Sequence, residues 1–108
     1  MKSFRLAAAL PADLQAAYDC YVQRSPAAAD RFVAEYLETR GRIIAQPALF
    51  RVRRHAWRQA TIPRFPRHAV FFKEMEACWL IAALLSTVQD PDRLLAQLVI
   101  REAAEEAL

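Results

Sequence analysis

The residue pattern of this 108-residue chain changes at Pro47, from helical spacing to runs of β-prone residues. Before it, Pro11 and Ser25-Pro26 mark two helix starts, because proline is tolerated in a first helical turn and serine caps one. Apolar residues at spacings of three and four follow each start: Leu14, Ala17, Tyr18 and Tyr21, then Phe32, Tyr36, Leu37, Ile43 and Ile44. The first part of the chain therefore predicts a helical hairpin, with its second helix from Pro26 to about Gln46.

Strand-like runs lie on both sides of this hairpin. Alternation predicts a short first strand from Phe4 to Ala8. After Pro47, the segments Ala56–Ile62, His68–Lys73 and Cys78–Leu85 are β-prone. The last of them is apolar at nearly every position, which is typical of a central strand covered on both faces. Asp90-Pro91 then starts a final helix.

The order β-α-α-β-β-β followed by a helix predicts an α+β fold, with a helical hairpin packed on a small, mainly antiparallel sheet. A length of 108 residues fits one domain, 1–108, with 91–107 as a C-terminal helical extension. We expect this helix to pack on its own sheet, with a partner protein as the alternative; its apolar side is formed by Leu94, Leu95, Leu98 and Val99. Glutamates near its C-terminus oppose the helix dipole, so we expect the last turn to fray.

A run of seven cations without a carboxylate is the main charge feature of the chain. Its members are Arg51, Arg53, Arg54, Arg58, Arg64, Arg67 and Lys73. The formal charge is +3, so the remaining 8 basic and 12 acidic side chains give the rest of the chain −4. A surface of one sign attracts an anionic partner, which leaves a nucleic acid, an acidic protein surface or an acidic peptide.

Several classes of function are disfavoured by composition. The single glycine, Gly41, leaves no glycine-rich loop for a nucleotide, and we expect no cofactor or metal. Cys20 and Cys78 are too few and too far apart for a disulfide framework, so we expect core or half-buried thiols. The apolar run near the N-terminus is short and is interrupted by Pro11, and no later run is long enough for a membrane span. These features predict a cytoplasmic protein.

An ordered series of short motifs resembles the RelE/ParE toxin superfamily of bacterial type II toxin–antitoxin systems. The motifs are Tyr18-x-x-Tyr21, Arg24-Ser25-Pro26, Ala29-x-Arg31-Phe32, Glu35, Arg42-Ile43, Pro47-x-x-Phe50, Ile62-x-Arg64-Phe65-Pro66 and Asp90-Pro91. The resemblance extends from about Phe4 to Pro91 and is closer to ParE-like members. It implies the α+β fold that the residue pattern also predicts.

The resemblance implies a toxin that inhibits DNA gyrase by binding and is neutralised by a cognate antitoxin, with a homodimer or a heterotetramer with antitoxin as possible assemblies. Binding needs a shaped surface and no catalytic group. The residues expected at this surface are Arg51, Arg53, Arg54, Trp57, Arg58, Arg64 and Arg67. For each arginine, a solvated sheet edge protected by charge is the simpler alternative.

Two other functions stay open. RelE-like members cleave messenger RNA on the ribosome, and here His55 or His68 would move protons beside the arginines. No carboxylate lies within the basic segment to orient either ring, which disfavours this reading. ParE-like chains usually carry a His and paired arginines where this one has Ser86, Val88 and Gln89. A toxin-fold protein that only binds a partner is therefore the third possibility.

The aromatic residues of the basic segment raise the question of base stacking. Phe71-Phe72 lie within a predicted strand, and Trp79 lies in the next, so these three are expected in the core. Trp57, beside Arg58, is the candidate for an exposed stacking platform.

Overall fold

A five-stranded sheet with helices on both faces forms the fold in the computed structural model, which describes residues 2–107. The elements are β1 (Ser3–Leu6), α1 (Leu10–Val22), α2 (Pro26–Ala45), a 3₁₀ turn (Pro47–Leu49), β2 (Val52–Arg54), β3 (Trp57–Ile62), β4 (Phe65–Glu74), β5 (Cys78–Ser86) and α3 (Pro91–Glu106). The predicted α+β class and element order are confirmed, and the structure adds the short strand β2. None of the helices within residues 2–107 is long and apolar enough to cross a lipid bilayer.

The sheet has the order β1-β5-β4-β3-β2. The β2–β3, β3–β4 and β4–β5 pairs are antiparallel, whereas β1 pairs with β5 in parallel, with Ser3 opposite Cys78 and Leu6 opposite Ile81. The apolar strand β5 is therefore internal, as its composition predicts. β2 and β1 lie at the two ends of the described sheet.

Two predicted helix caps are confirmed. The Ser25 hydroxyl accepts a hydrogen bond from the Ala28 backbone N–H at 3.0 Å at the start of α2. The Asp90 carboxylate accepts one from the Asp92 N–H at 2.8 Å at the start of α3. Each cap satisfies a backbone donor that has no partner within its helix.

The hairpin α1–α2 packs on one face of the sheet through aromatic side chains. The Tyr21 ring lies 4.8 Å from that of Phe32 and 4.9 Å from that of Phe65, measured between centroids. On the same face, Phe72 packs against Trp79 at 6.1 Å. The prediction that Phe71, Phe72 and Trp79 lie in the core is confirmed.

The apolar stripe predicted for α2 is too wide. Phe32, Tyr36 and Ile43 are buried, but Leu37 and Ile44 remain 46% and 45% exposed. They lie on the side of α2 that faces away from the sheet.

Helix α3 packs on the opposite face of the sheet. Residues alternate across a strand, so Phe71 and Lys73 of β4 lie on the face opposite Phe72. Lys73 Nζ binds the Glu102 carboxylate of α3 at 2.9 and 3.0 Å, and Leu98 is buried against the sheet. The expectation that this helix packs on its own sheet is confirmed.

The expectation that the last turn of α3 frays was wrong. The helix continues to Glu106, and Glu105 is buried. Its carboxylate accepts hydrogen bonds from Arg5 Nε and from the Ala8 backbone N–H, both at 3.0 Å. These two partners offset the unfavourable position of the charge in the helix dipole.

Candidate functional site

The turn between β2 and β3 places two arginines at an end of the sheet. Arg54 pairs with Trp57, so the loop contains just His55 and Ala56. Their φ angles are 49° and 70°, and two positive values are what a tight type I′ hairpin requires. The turn is formed without glycine, and it folds β2 back along β3 so that Arg53 and Arg54 are exposed at the sheet edge.

A second tight turn carries arginines at the other end of β3. Ile62 pairs with Phe65 across Pro63-Arg64, and Arg64 has a φ of 69°. Proline followed by a residue of positive φ is the pattern of a type II turn. The six residues of β3 separate the two turns by roughly 17 Å. The exposed cations therefore form two groups: the β2 group (Arg51, Arg53, Arg54) and the turn group (Arg64, Arg67).

Arg58 belongs to neither group, because its guanidinium is used within the fold. Its Nη1 donates to the Phe50 carbonyl at 2.6 Å, and the guanidinium carbon lies 5.4 Å from the Trp79 ring centroid. Lys73 is similarly engaged, with Glu102 and with the Trp57 ring at 5.6 Å. Two of the seven cations thus have structural roles.

The suggestion that Trp57 forms an exposed stacking platform was wrong. Its side chain is 2% exposed, at the start of β3. The Lys73 ammonium lies over its ring and the rest of the side chain is recessed between α3 and the sheet, so it is not an exposed platform.

Between α3 and the sheet, beside the β2 group, there is an open cleft of about 260 Å³. We call it the α3 cleft, and its lining residues are Arg53, Arg54, Trp57, Gln59, Phe71, Thr87, Gln89, Pro91, Leu94, Leu95 and Leu98. Trp57 and Phe71 form an aromatic floor, the three leucines form one wall, and the two arginines lie at the rim. An apolar recess with a few polar groups around it is the usual form of a binding site.

The charged side chains that line the α3 cleft are all positive. Its described lining contains two arginines and no carboxylate. The nearest counter-charge is Asp92, at 3.6 Å from Arg54 Nη1 and 96% exposed. Such an exposed pair contributes little stability.

The leucines of α3 and the arginines of β2 are more than 35 positions apart in the sequence. The sequence shows the apolar side of α3 and predicts that this side packs on the sheet. No sequence signal places it beside Arg53 and Arg54, because the path of α3 across the sheet is a tertiary property.

Neither histidine is among the residues that line this cleft. His68 is half-buried on the hairpin face, and its Nδ1 lies 2.8 Å from the Tyr21 hydroxyl. Burial lowers the pKa of His68; burial, and to a smaller extent Cys20, raise the pKa of Tyr21. The pair is therefore neutral near pH 7. His55 is exposed in the β2–β3 turn.

Within residues 2–107, no group of three or more His, Cys, Asp and Glu side chains is arranged to hold a metal ion. Cys78 is half-buried, as expected, but Cys20 is exposed, which corrects the expectation for that thiol.

No protein-family model matches the chain, and no curated protein matches its sequence.

Proposed function

We propose that the chain is a non-catalytic protein-binding domain that acts as a ParE-like toxin of a type II toxin–antitoxin module. It would be cytoplasmic, would inhibit DNA gyrase, and would be neutralised by a cognate antitoxin. The observation that carries the proposal is the β2 group of exposed arginines beside the apolar α3 cleft. An apolar recess with a cationic rim suits an acidic protein surface.

The predominance of arginine suits an anionic partner, and the burial of Trp57 favours a protein over a nucleic acid. A guanidinium offers a planar fork of donors that matches a carboxylate or a phosphate, and it is more weakly hydrated than an ammonium. The β2 group and the turn group contain arginine at all five positions. With Trp57 buried, this surface offers a nucleic acid charge but not a stacking platform.

The positions of the histidines favour binding over cleavage. An endoribonuclease needs a proton donor and a proton acceptor beside the cations that stabilise the phosphate. His68 is hydrogen-bonded to Tyr21 on the hairpin face, where Arg24 and Arg67 are the neighbouring cations, whereas the α3 cleft and its arginines are on the opposite face. His55 follows Arg54 in the sequence but does not line the cleft.

Expression without a partner tests the function. Induction in a bacterial host should arrest growth, cause filamentation and relax plasmid supercoils, and the purified chain should inhibit gyrase supercoiling in vitro. Arg53→Glu with Arg54→Glu should abolish these effects. The matched control is Arg24→Glu with Arg31→Glu, which makes the same charge change at exposed sites on the hairpin and should keep them.

Each other outcome identifies a different function. Rapid translation arrest with cleaved messages would support the endoribonuclease. A folded, abundant chain without any growth effect would leave the non-toxic binding protein. A small acidic protein encoded beside this one should restore growth when co-expressed and should co-purify with the chain.

A further inference from the structure

Gly41, the only glycine of the chain, lies inside the helix α2. Glycine is among the least favourable residues in a helix interior, because it loses the most backbone freedom on folding. The position is exposed, and a Cβ built there would meet nothing beyond its own stretch of helix within 4 Å. The described fold therefore does not need the missing side chain, and the space above Gly41 is free for a second molecule.

Gly41 belongs to an exposed stripe on the side of α2 that faces away from the sheet. Its members follow one another in alternating steps of three and four residues, and they are Ala27, Asp30, Ala34, Leu37, Gly41 and Ile44. This is the heptad spacing of a helix that packs along another helix. Leu37 and Ile44 supply the large apolar side chains, and the small residues between them let a second helix come close.

A shallow groove beside the stripe enlarges this apolar surface. It lies between α1 and α2, and its lining residues are Pro11, Leu14, Gln15, Tyr18 and Val33. The 20 residues of α2 extend over about 30 Å. A contact along one helix of this length is at the small end of the range for specific interfaces, which indicates reversible association.

The stripe is complementary to itself in an antiparallel arrangement. When α2 of a second copy runs in the opposite direction, one register places a large residue opposite a small one at every layer. The facing pairs are Leu37 with Ala34, Ile44 with Ala27, and Asp30 with Gly41. A two-fold axis repeats each contact, so the same surface serves both copies.

Charges beside the stripe select this register. It brings Arg31 next to Glu38 of the second copy, and Asp30 next to Arg40 of the second copy. Arg31 and Glu38 are both exposed, and neither forms an ion pair within residues 2–107. Sliding the second helix by one heptad would bring Glu38 beside Glu38 in one direction and Arg31 beside Arg31 in the other. Like charges in contact disfavour both alternatives.

We infer that α2 binds α2 of a second copy of this chain in an antiparallel, two-fold symmetric contact, in which Gly41 permits the close approach of the two helices. The contact lies on the hairpin face, opposite the α3 cleft. The inference does not rest on the proposed function.

Sedimentation equilibrium of the unaltered chain measures the association. We expect a monomer–dimer equilibrium with a dissociation constant on the order of ten micromolar. A dilution series of ¹⁵N spectra locates the contact. Amide shifts should depend on concentration within residues 27–44, and those of α3 should not.

Gly41→Gln separates folding from association, because the two effects have opposite signs. Glutamine is the better helix former, so the urea midpoint of the dilute monomer should rise. The added side chain occupies the space needed by the second helix, so association should weaken at least about tenfold. Ala104→Gln introduces the same residue at an exposed position of α3 and should leave the association unchanged.

A charge exchange tests the antiparallel register. Arg31→Glu and Glu38→Arg should each weaken self-association at least about tenfold, because each places like charges together at both ends of the contact. An equimolar mixture of the two variants should associate again, since every facing pair then joins opposite charges. The double variant, with both substitutions in one chain, should also recover.

The inference is wrong if the unaltered chain stays monomeric up to about 0.5 mM, far above the expected dissociation constant. Concentration-dependent shifts confined to α3 would assign the contact to another surface and also contradict it. So would association that Gly41→Gln leaves intact, or a mixture of the two charge variants that stays monomeric. The toxin proposal is read separately: Arg24→Glu with Arg31→Glu should lose self-association and retain growth arrest.

Discussion

Asp13 and Arg101 form a bidentate ion pair that joins the first helix to the last. Arg101 Nη1 and Nη2 donate to the two carboxylate oxygens of Asp13 at 2.8 and 2.7 Å. The same two side chains also bind the backbone of β5 beyond Ile81, the last β5 residue that pairs with β1. Asp13 Oδ2 accepts from the Leu84 N–H at 3.0 Å, and Arg101 Nη1 donates to the Ala82 carbonyl at 3.0 Å. Because β1 ends at Leu6, these two side chains satisfy backbone groups of β5 that a longer β1 would have paired.

Removing one partner of this pair should be costly. We expect Asp13→Ala to lower the free energy of unfolding by about 3 kcal/mol, because it leaves a largely buried guanidinium and the Leu84 N–H without an acceptor. The double variant Asp13→Ala with Arg101→Met should cost less than the sum of the single ones. Urea denaturation measures all three. Asp19→Ala, at an exposed site of α1, is the control and should change stability by less than about 0.5 kcal/mol.

Two adjacent glutamates at the end of α3 should differ in importance. Glu105→Ala should cost about 2 kcal/mol, since the buried carboxylate binds both Arg5 and the Ala8 N–H. Glu106→Ala, at the exposed next position, should be nearly neutral. Thermal unfolding of the two variants compares them directly. Equal effects would mean that the buried ion pair contributes no net stability.

Arg58 should behave as a structural residue. Arg58→Ala removes the hydrogen bond to the Phe50 carbonyl and the packing over Trp79, so we expect a loss of about 1–2 kcal/mol in urea denaturation. Arg51→Ala, at an exposed position, should leave stability within about 0.5 kcal/mol. If Arg58→Ala were neutral in stability and lost partner binding, Arg58 would belong to the binding surface.

Stability should depend on pH through His68. Burial lowers the pKa of its imidazole below 6.5 in the folded state, so the unfolded ring takes up a proton first as the pH falls. The free energy of unfolding should therefore decrease from about pH 6.5 downward, until the folded ring is protonated too. His68→Gln, which retains a hydrogen-bonding side chain for Tyr21, should lose this component when urea midpoints are compared between about pH 8 and pH 5. His55→Gln is the matched control and should keep it.

The β2–β3 turn should be improved by glycine. Ala56 has a φ of 70°, a region that costs a residue with a Cβ about 1 kcal/mol. Ala56→Gly should raise the free energy of unfolding by about that amount. The same substitution at Ala34, exposed within α2, should lower it by about 1 kcal/mol, because glycine is a poor helix former. If both substitutions changed the free energy of unfolding in the same direction, backbone strain at Ala56 would be excluded.

The helices and the central strands could be predicted because their signals are local. Ser25 and Asp90 cap helices wherever a suitable apolar face follows, and the apolar run of β5 requires burial on both faces. β2 was missed because three exposed residues with two arginines show no apolar alternation. Its position is set by the hairpin turn at His55-Ala56, which lacks the glycine or asparagine that marks such turns.

The site was predicted in part. The arginines of the β2 group and the turn group are exposed, but their division into two groups follows from the length of β3. Trp57 was misassigned because its neighbours in sequence are charged, and the cover over its ring comes from α3 and Lys73. The α3 cleft depends on the same long-range packing.

The parallel pairing of β1 with β5 has a consequence during synthesis. The ribosome makes β1 first, but its neighbour in the sheet begins only at Cys78, after both hairpin helices and three other strands. Contacts between such distant parts of a chain form slowly, because a long loop must close before they are gained. A nascent chain that has not reached Cys78 therefore has β3 and β4 to pack against α2, but it lacks β5, the strand that pairs with β1 and packs against α1. We expect this interval to be when the chain most needs a chaperone.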